Sequence, residues 1–255
     1  MIPDTKNIAP CPLCECRHRS YVFSKNHTRV VCCTNCGLLE DIDFIPGHTK
    51  ARKYSTSAIS RVHDLLSRSK DMVTLITTKG GNKSLQAQLE KICGADRLQV
   101  VDFESLAAYP GGRGSVIVDD HLLDQVDPLA SLRLLRERLS ESQPIVFLIE
   151  LVGGKHRRFG KSLLMREAPA RFWPDWNTFH KLLLASHFEK IWLGNPETDQ
   201  HGSQLAVISA RIGAKREQPM VSVILPVFNE FGTFEEALSG CSQRILTECL
   251  FKSSL

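Results

Sequence analysis

Two cysteine pairs near the N-terminus, Cys11-Pro-Leu-Cys14 and Cys33-Thr-Asn-Cys36-Gly37, constrain the fold of this chain more than any other feature. Of its 9 cysteines, the six from Cys11 to Cys36 are clustered. In a C-x2-C turn both sulfurs point to the same side with backbone N–H groups turned toward them, and Gly37 permits the positive φ that such a turn often needs. Two turns at right angles offer four thiolates to a tetrahedral ion at about 2.3 Å, and the separation of the pairs is that of structural zinc sites. Residues 1–20 hold no apolar signal core, so a cluster of this density is expected to bind metal rather than to form disulfides.

Between the pairs, Tyr21-Val22-Phe23 and Thr28-Arg29-Val30-Val31 read as two short strands around a Lys25-Asn26-His27 turn. The expectation is a zinc ribbon over residues 1–45, with Cys11, Cys14, Cys33 and Cys36 as ligands. So short a segment can barely build a core, and the metal must supply much of its folding energy. Four closed ligands leave no open position, which makes the role structural. Cys16, His18 and Cys32 are spares; Cys32 could replace Cys33, but the Cys33–Cys36 spacing before Gly37 fits better. Cys93, Cys241 and Cys249 stand alone and read as small apolar fillers.

The rest of the chain is ordinary in composition. Hydrophobic residues make up 42% and charged ones 24%, as in soluble globular proteins. The net charge of +4 is weak and spread out, so no nucleic-acid partner is expected. The longest apolar stretch, Ile145 to Val152, falls short of the about 20 residues that span a bilayer, and a cytoplasmic protein is expected. Residues 44–53 read as a linker. Beyond it, apolar residues alternate between helical and strand periodicity. Helices are predicted over 57–69, 85–92, 129–139 and 176–186, and strands over 72–76, 98–101, 116–118, 145–151, 190–193 and 205–210. This pattern predicts an α/β domain with a mostly parallel sheet over residues 55–213.

The run from Ser115-Val116-Ile117-Val118 through Leu122-Leu123-Asp124-Gln125-Val126-Asp127-Pro128 to the helix ending at Leu139 and the strand Ile145 to Leu151 resembles class I S-adenosylmethionine-dependent methyltransferases. Their strand, "v-L-e-H-v-x-D-P" turn, helix and next strand are matched, with Gln125 where that family commonly has histidine. Trp176 to Leu183 is similar to the helix before the family's last strands. Zinc ribbons precede such domains in sugar-modifying methyltransferases. The resemblance therefore implies a Rossmann-like fold, S-adenosylmethionine as cofactor, and a sugar or glycan-linked small molecule as acceptor.

It also implies site residues. Gly80 and Gly81 stand where the family has a G-x-G-x-G turn, within Thr77-Thr78-Lys79-Gly80-Gly81-Asn82-Lys83; two adjacent glycines lack the spaced pattern, and the lysines suit an anion at a helix N-terminus. Asp102 ends the second strand, where a carboxylate takes the ribose hydroxyls, and Phe103 could flank adenine. Alternatively, Asp102-Phe103 is the later adenine-edge motif. On that reading the ribose strand is missing: only roughly 30 residues separate the first strand from Asp102, so one βα unit is expected to be lost between them. Asp119 is a further cofactor candidate, and Asp120 and His121 are candidates to orient an acceptor hydroxyl or serve as base. The alternative for all three is a solvated strand-end turn. Gly153 to Arg158 is a basic loop, either solvent-facing or a phosphate contact, and Trp173-Pro174 reads as core or lid.

A second resemblance lies at the end of the chain. Val221-Ser222-Val223-Ile224-Leu225-Pro226-Val227-Phe228-Asn229-Glu230 reads as a buried strand and polar turn, followed by Phe234 to Leu238. It is similar to the opening strand and helix of family 2 glycosyltransferases, which implies nucleotide-sugar contacts at Pro226, Asn229 and Glu230. Residues 219–255 hold about one βα unit, and the expectation is the truncated start of such a domain. Three functions follow: a methyltransferase relative, the front of a glycosyltransferase, or a non-catalytic zinc-ribbon scaffold.

Overall fold

A computed structural model describes residues 8–25, 28–45, 54–66, 71–78, 80–111, 114–140, 143–152, 170–194, 197–198 and 203–212. All of these fall in one compact unit, Met1–Ala214; a second unit, Lys215–Leu255, lies outside the described residues, and the glycosyltransferase-like strand with Pro226, Asn229 and Glu230 lies in it. Lys79 and the basic loop from Gly153 are also outside them.

The element order is β1 (Arg19–Lys25), β2 (Thr28–Cys33), β3 (Leu39–Asp41), α1 (Thr56–Leu66), β4 (Val73–Thr77), α2 (Lys83–Cys93), β5 (Leu98–Asp102), β6 (Ser115–Val118), α3 (Pro128–Arg138), β7 (Pro144–Val152), β8 (Phe172–Trp173), α4 (Trp176–Ala185), β9 (Phe188–Leu193), β10 (Glu197–Thr198) and β11 (Ser203–Ile212). Each helix predicted from periodicity is present, with ends shifted by a few residues.

Caps explain where the helices begin. Asn82, Asp127 and Asp175 each accept the amide three residues on, satisfying a donor that the first turn leaves free. Pro128 adds its fixed φ at the start of α3.

The larger sheet has the order β10-β11-β7-β6-β4-β5, with β9 also pairing β11. Strands β5, β4, β6 and β7 run parallel, and β11 is antiparallel to β7 and β9. Side chains alternate between two faces, as the strand period of two requires. Leu75, Ile117, Leu148 and Val207 pack with α1 and α2 on one face. Ile76, Val118, Phe147 and Ile208 pack with α3 and α4 on the other. This is a doubly wound, Rossmann-like α/β sandwich, as the sequence predicts. Gly114 allows the close entry into β6: its φ is +120°, and a Cβ there would lie 2.0 Å from the Met72 carbonyl oxygen.

Two features place the site. The chain goes from β4 outward to β5 and then returns to β6 on the other side of β4, so its winding reverses between β4 and β6. The expected loss of a βα unit between the first strand and Asp102 is corrected, since β4, α2 and β5 form a complete unit there; between β5 and β6 the described residues form only a short 3-10 turn, Phe103–Ala108.

The smaller sheet has the order β1-β2-β3-β8, antiparallel throughout. Its last strand comes from the α/β part of the chain, so the N-terminal sheet is completed by Phe172 and Trp173 opposite Glu40 and Leu39.

Phe147 is fully buried and meets Phe179 and Phe188 edge to face at 5.9 and 5.6 Å between ring centres. Phe147→Ala is expected to cost about 3–5 kcal/mol in denaturant unfolding, with the slope of the transition unchanged.

Candidate functional site

In open α/β sheets, ligands sit beyond the carboxyl ends of the strands where the winding reverses. Here that edge carries Thr77 at the end of β4, Asp102 at the end of β5, and Asp119, Asp120 and His121 just after β6. Thr77 and Asp102 are register partners. The sequence candidates are thus brought to one edge, but in two different states.

On the β6 side the groups are sealed and bonded to each other. Asp119 is 0% exposed, Asp120 1% and His121 4%. The Thr77 hydroxyl donates to Asp119 Oδ2 at 2.6 Å. The His121 ring, through Nδ1, meets the same oxygen at 2.9 Å, and the His121 amide donates to Asp119 Oδ1 at 3.1 Å. The Tyr54 hydroxyl, arriving from ahead of α1, donates to Asp120 Oδ1 at 3.1 Å. Burial alone would lower the His121 pKa, but the hydrogen bond and charge of Asp119, with Asp120 and Asp124 behind it, raise it to about 9. The expectation of a solvated strand-end turn is therefore corrected: these side chains form an interior network. The His121 ring is engaged by Asp119 through Nδ1, and the two aspartates beside it favour its charged form.

Gly81 is part of this packing. A Cβ on it would lie 2.6 Å from Thr77 Cγ2, so the glycine leaves the space that the Thr77 rotamer fills. Its neighbour Gly80 has φ +77° and open space where a side chain would be. Asn82 spends its side chain on capping α2 and is buried, so this helix N-terminus is closed by the chain itself.

On the β5 side the edge is open. Asp102 is partly exposed, and no described residue hydrogen-bonds or pairs with its carboxylate. Phe103 is buried in the apolar cluster with Val101 and Leu106. Thr77 and Tyr54 were not legible as site residues. The position of Thr77, last in a strand before a Gly-rich turn, was the only available signal for it; Tyr54 carried none.

The cysteines form a second cluster. The sulfurs of Cys11, Cys14, Cys33 and Cys36 all lie within 4.8 Å of one another, with Cys11–Cys36 and Cys14–Cys33 at 3.5 Å. A tetrahedral ion with bonds of about 2.3 Å has sulfur–sulfur edges of about 3.8 Å, so the four fit such an ion with small adjustments. The two turns repeat each other. Amides of Leu13 and Cys14 reach the Cys11 sulfur as those of Asn35 and Cys36 reach Cys33; amides of Cys16 and Leu38 reach Cys14 and Cys36. Glu15 and Gly37, each one residue past its pair, both have positive φ, 57° and 77°. The hydrogen bond from Cys36 pulls the Cys11 thiol down to about 4 against the effect of burial, and Arg19 adds to it. Cys36 is pushed up correspondingly. Cys16 and Cys32 instead approach backbone carbonyls, so neither belongs to the four.

No family model matches the chain, and no curated protein matches it. Solved structures do. The chain is similar to the N-terminal domain of EvdMO1 crystallised in the presence of SAH and D-fucose, at 12% identity over 63% of this chain and 84% of that one, with a TM-score of 0.42. It is similar to human N-acetylserotonin methyltransferase in complex with SAM, at 13% identity over 61% of this chain and 51% of that one, TM-score 0.44, and so spans about half of that enzyme's length. A SAM-dependent methyltransferase of Thermotoga maritima, described as a possible histamine N-methyltransferase, gives 12% identity, 61% and 87% coverage, and a TM-score of 0.42. These likenesses carry no inference about what this chain binds. Among the described residues, no helix is long and apolar enough to cross a membrane.

The raised pKa of His121 has a consequence for stability. The stabilisation from its charged form is fully present below its ordinary value of 6.5 and is lost as pH rises through about 9. A thermal denaturation series from acid to alkaline pH should therefore show a decline in Tm across that window, and His121→Gln should flatten it.

Proposed function

We propose that this chain is a transferase-related protein of sugar or glycan biosynthesis, built on the class I S-adenosylmethionine-dependent methyltransferase plan behind a zinc-structured N-terminal module. The observation that carries the reading is the partly exposed Asp102 carboxylate at the end of β5, which has no partner among the described residues and lies level with the end of β4 before the Gly80–Gly81 turn. A carboxylate there accepts from two vicinal hydroxyls of a ribose, and the open space at Gly80 lets another molecule approach the backbone. S-adenosylmethionine would supply an electrophilic methyl group on a sulfonium; the chain's own part is to hold donor and acceptor in line, which lowers the barrier by positioning. Asp119 acts through Thr77, fixing the end of β4 rather than touching the donor. The sugar or glycan acceptor rests on the sequence resemblance alone, as does the glycosyltransferase-like start at residues 219–255.

The test is binding. S-adenosylhomocysteine at 100 times its Kd should stabilise the protein by about 2.7 kcal/mol, read as a rise in Tm, and Asp102→Ala should remove the rise. A shift that persists in Asp102→Ala, or no shift in the parent chain, would overturn the donor site.

A second reading, a non-catalytic scaffold, is favoured by the sealed Asp119–Asp120–His121 network, which leaves no free base on that side of the edge. It predicts that the chain binds neither S-adenosylhomocysteine nor a nucleotide-sugar.

For the N-terminal module we infer a structural zinc ion held by Cys11, Cys14, Cys33 and Cys36. Metal analysis should give one zinc per chain, abolished by Cys36→Ser, and chelation should lower Tm, because binding energy at such a site is folding energy.

A further inference from the structure

We propose that Arg19 is a positioning residue of the metal knob, and that through Glu40 and Arg171 it ties metal occupancy to the pairing of β3 with β8. The inference rests on the zinc reading above. Four thiolates around a divalent ion leave two negative charges uncompensated, and Cys11 and Cys33 are buried. Charge of that kind needs an internal partner.

Arg19 supplies one. Its side chain is 2% exposed, so it is held away from water, and the Cys11 sulfur beside it favours the charged guanidinium. One amino group also donates to the Ala9 carbonyl at 3.2 Å, just ahead of the first cysteine turn. The same group lies 3.5 Å from Glu40 Oε2. Glu40 is buried in turn, and its other oxygen, Oε1, lies 3.4 Å from Arg171. Arg171 immediately precedes β8, and its carbonyl accepts the Asp41 amide at 2.8 Å.

The signs therefore alternate along a buried path: thiolate cluster, Arg19, Glu40, Arg171. Without the ion nothing gathers the four sulfurs beside Arg19, and two guanidiniums are left to share one carboxylate. The charge that the ion fixes at one end is thus felt at the strand pair at the other. Arg19 acts on the ion through Cys11, as outer hydrogen-bond donors do in metal sites generally.

The experiment uses the full chain loaded with cobalt, with three readouts. These are the rate of metal release to a chromogenic chelator, the thiolate-to-cobalt charge-transfer band, and hydrogen exchange at the Asp41 amide. Arg19→Met should release metal about 10–100-fold faster, move the band to lower energy as the sulfur loses a donor, and speed Asp41 exchange. Arg19→Lys keeps the charge without the guanidinium fork and should fall between it and the parent chain. Arg171→Met should leave the band in place yet speed Asp41 exchange. Stripping the metal from the parent chain should also speed Asp41 exchange. Arg19→Lys with the parental release rate and band would overturn the proposal, even if Arg19→Met fails to fold. So would an Asp41 amide indifferent to metal. A parent chain that takes up no metal would sink the zinc reading and this proposal together, whereas normal uptake with a silent Arg19 sinks this proposal alone.

Discussion

The hydrogen bond from the Thr77 hydroxyl to the Asp119 carboxylate joins β4 to the end of β6 at the place where the winding of the sheet reverses. An ionised carboxylate without exposed surface is tolerated only when donors surround it. Much of the local structure follows from that demand. Position 81 has to be glycine so that Thr77 can hold its rotamer. His121 has to turn back and stay protonated. The residues from Asp120 to Asp124 coil into a 3-10 turn instead of running on into α3. Tyr54, far away in sequence, is drawn over Asp120.

The result is an asymmetric edge. On the β6 side every candidate group is engaged by a neighbour and closed to solvent. On the β5 side Asp102 has no partner among the described residues, and a side chain at Gly80 would meet open space. The open groups of this edge therefore belong to β4 and β5, while the β6 groups are packed inside. β5 stands at the sheet's edge, where Gln99 and Val100 are exposed and only Val101 is buried.

The fold was largely legible in the sequence because its signals are local and repeated. Short apolar runs marked β4, β6 and β7, and apolar residues at helical spacing marked the helices, whereas the capping roles of Asn82, Asp127 and Asp175 show only in the structure. The parallel order followed from the alternation of strands and helices. The convergence of Cys11, Cys14, Cys33 and Cys36 was equally legible, since the spacing of the pairs points to which sulfurs can meet. The sequence did not reveal how polar groups divide between inside and outside. Asp119, Asp120 and Asp102 look alike as residues ending strands, yet two are buried and one is open. The difference comes from Thr77, Tyr54 and His121, partners whose approach depends on tertiary packing. Phe103 read as a candidate adenine contact for the same reason: an aromatic after a strand carries no mark of the face it takes. Glu15 was a quieter omission, a non-glycine held at positive φ because the first cysteine turn repeats the geometry of the second.

The cysteine module is bound to the α/β layer more closely than a tethered ribbon would be. Cys11, Cys33 and Leu38 belong to the same apolar cluster as Phe172, Phe179 and the inner face of α3. The Thr178 hydroxyl in the first turn of α4 donates to the Cys36 carbonyl. β8 completes the small sheet, and Trp173 stacks on Phe23 at 6.4 Å, nearly parallel. These contacts span both sheets, so the ordering of the four sulfurs and the seating of α4 are parts of one packing problem. An ion that organises the sulfurs thereby supports the face of the sheet formed by β7 and β11, at a distance from the edge where Asp102 stands. The four sulfurs and the open edge at Asp102 thus lie on different parts of one folded unit.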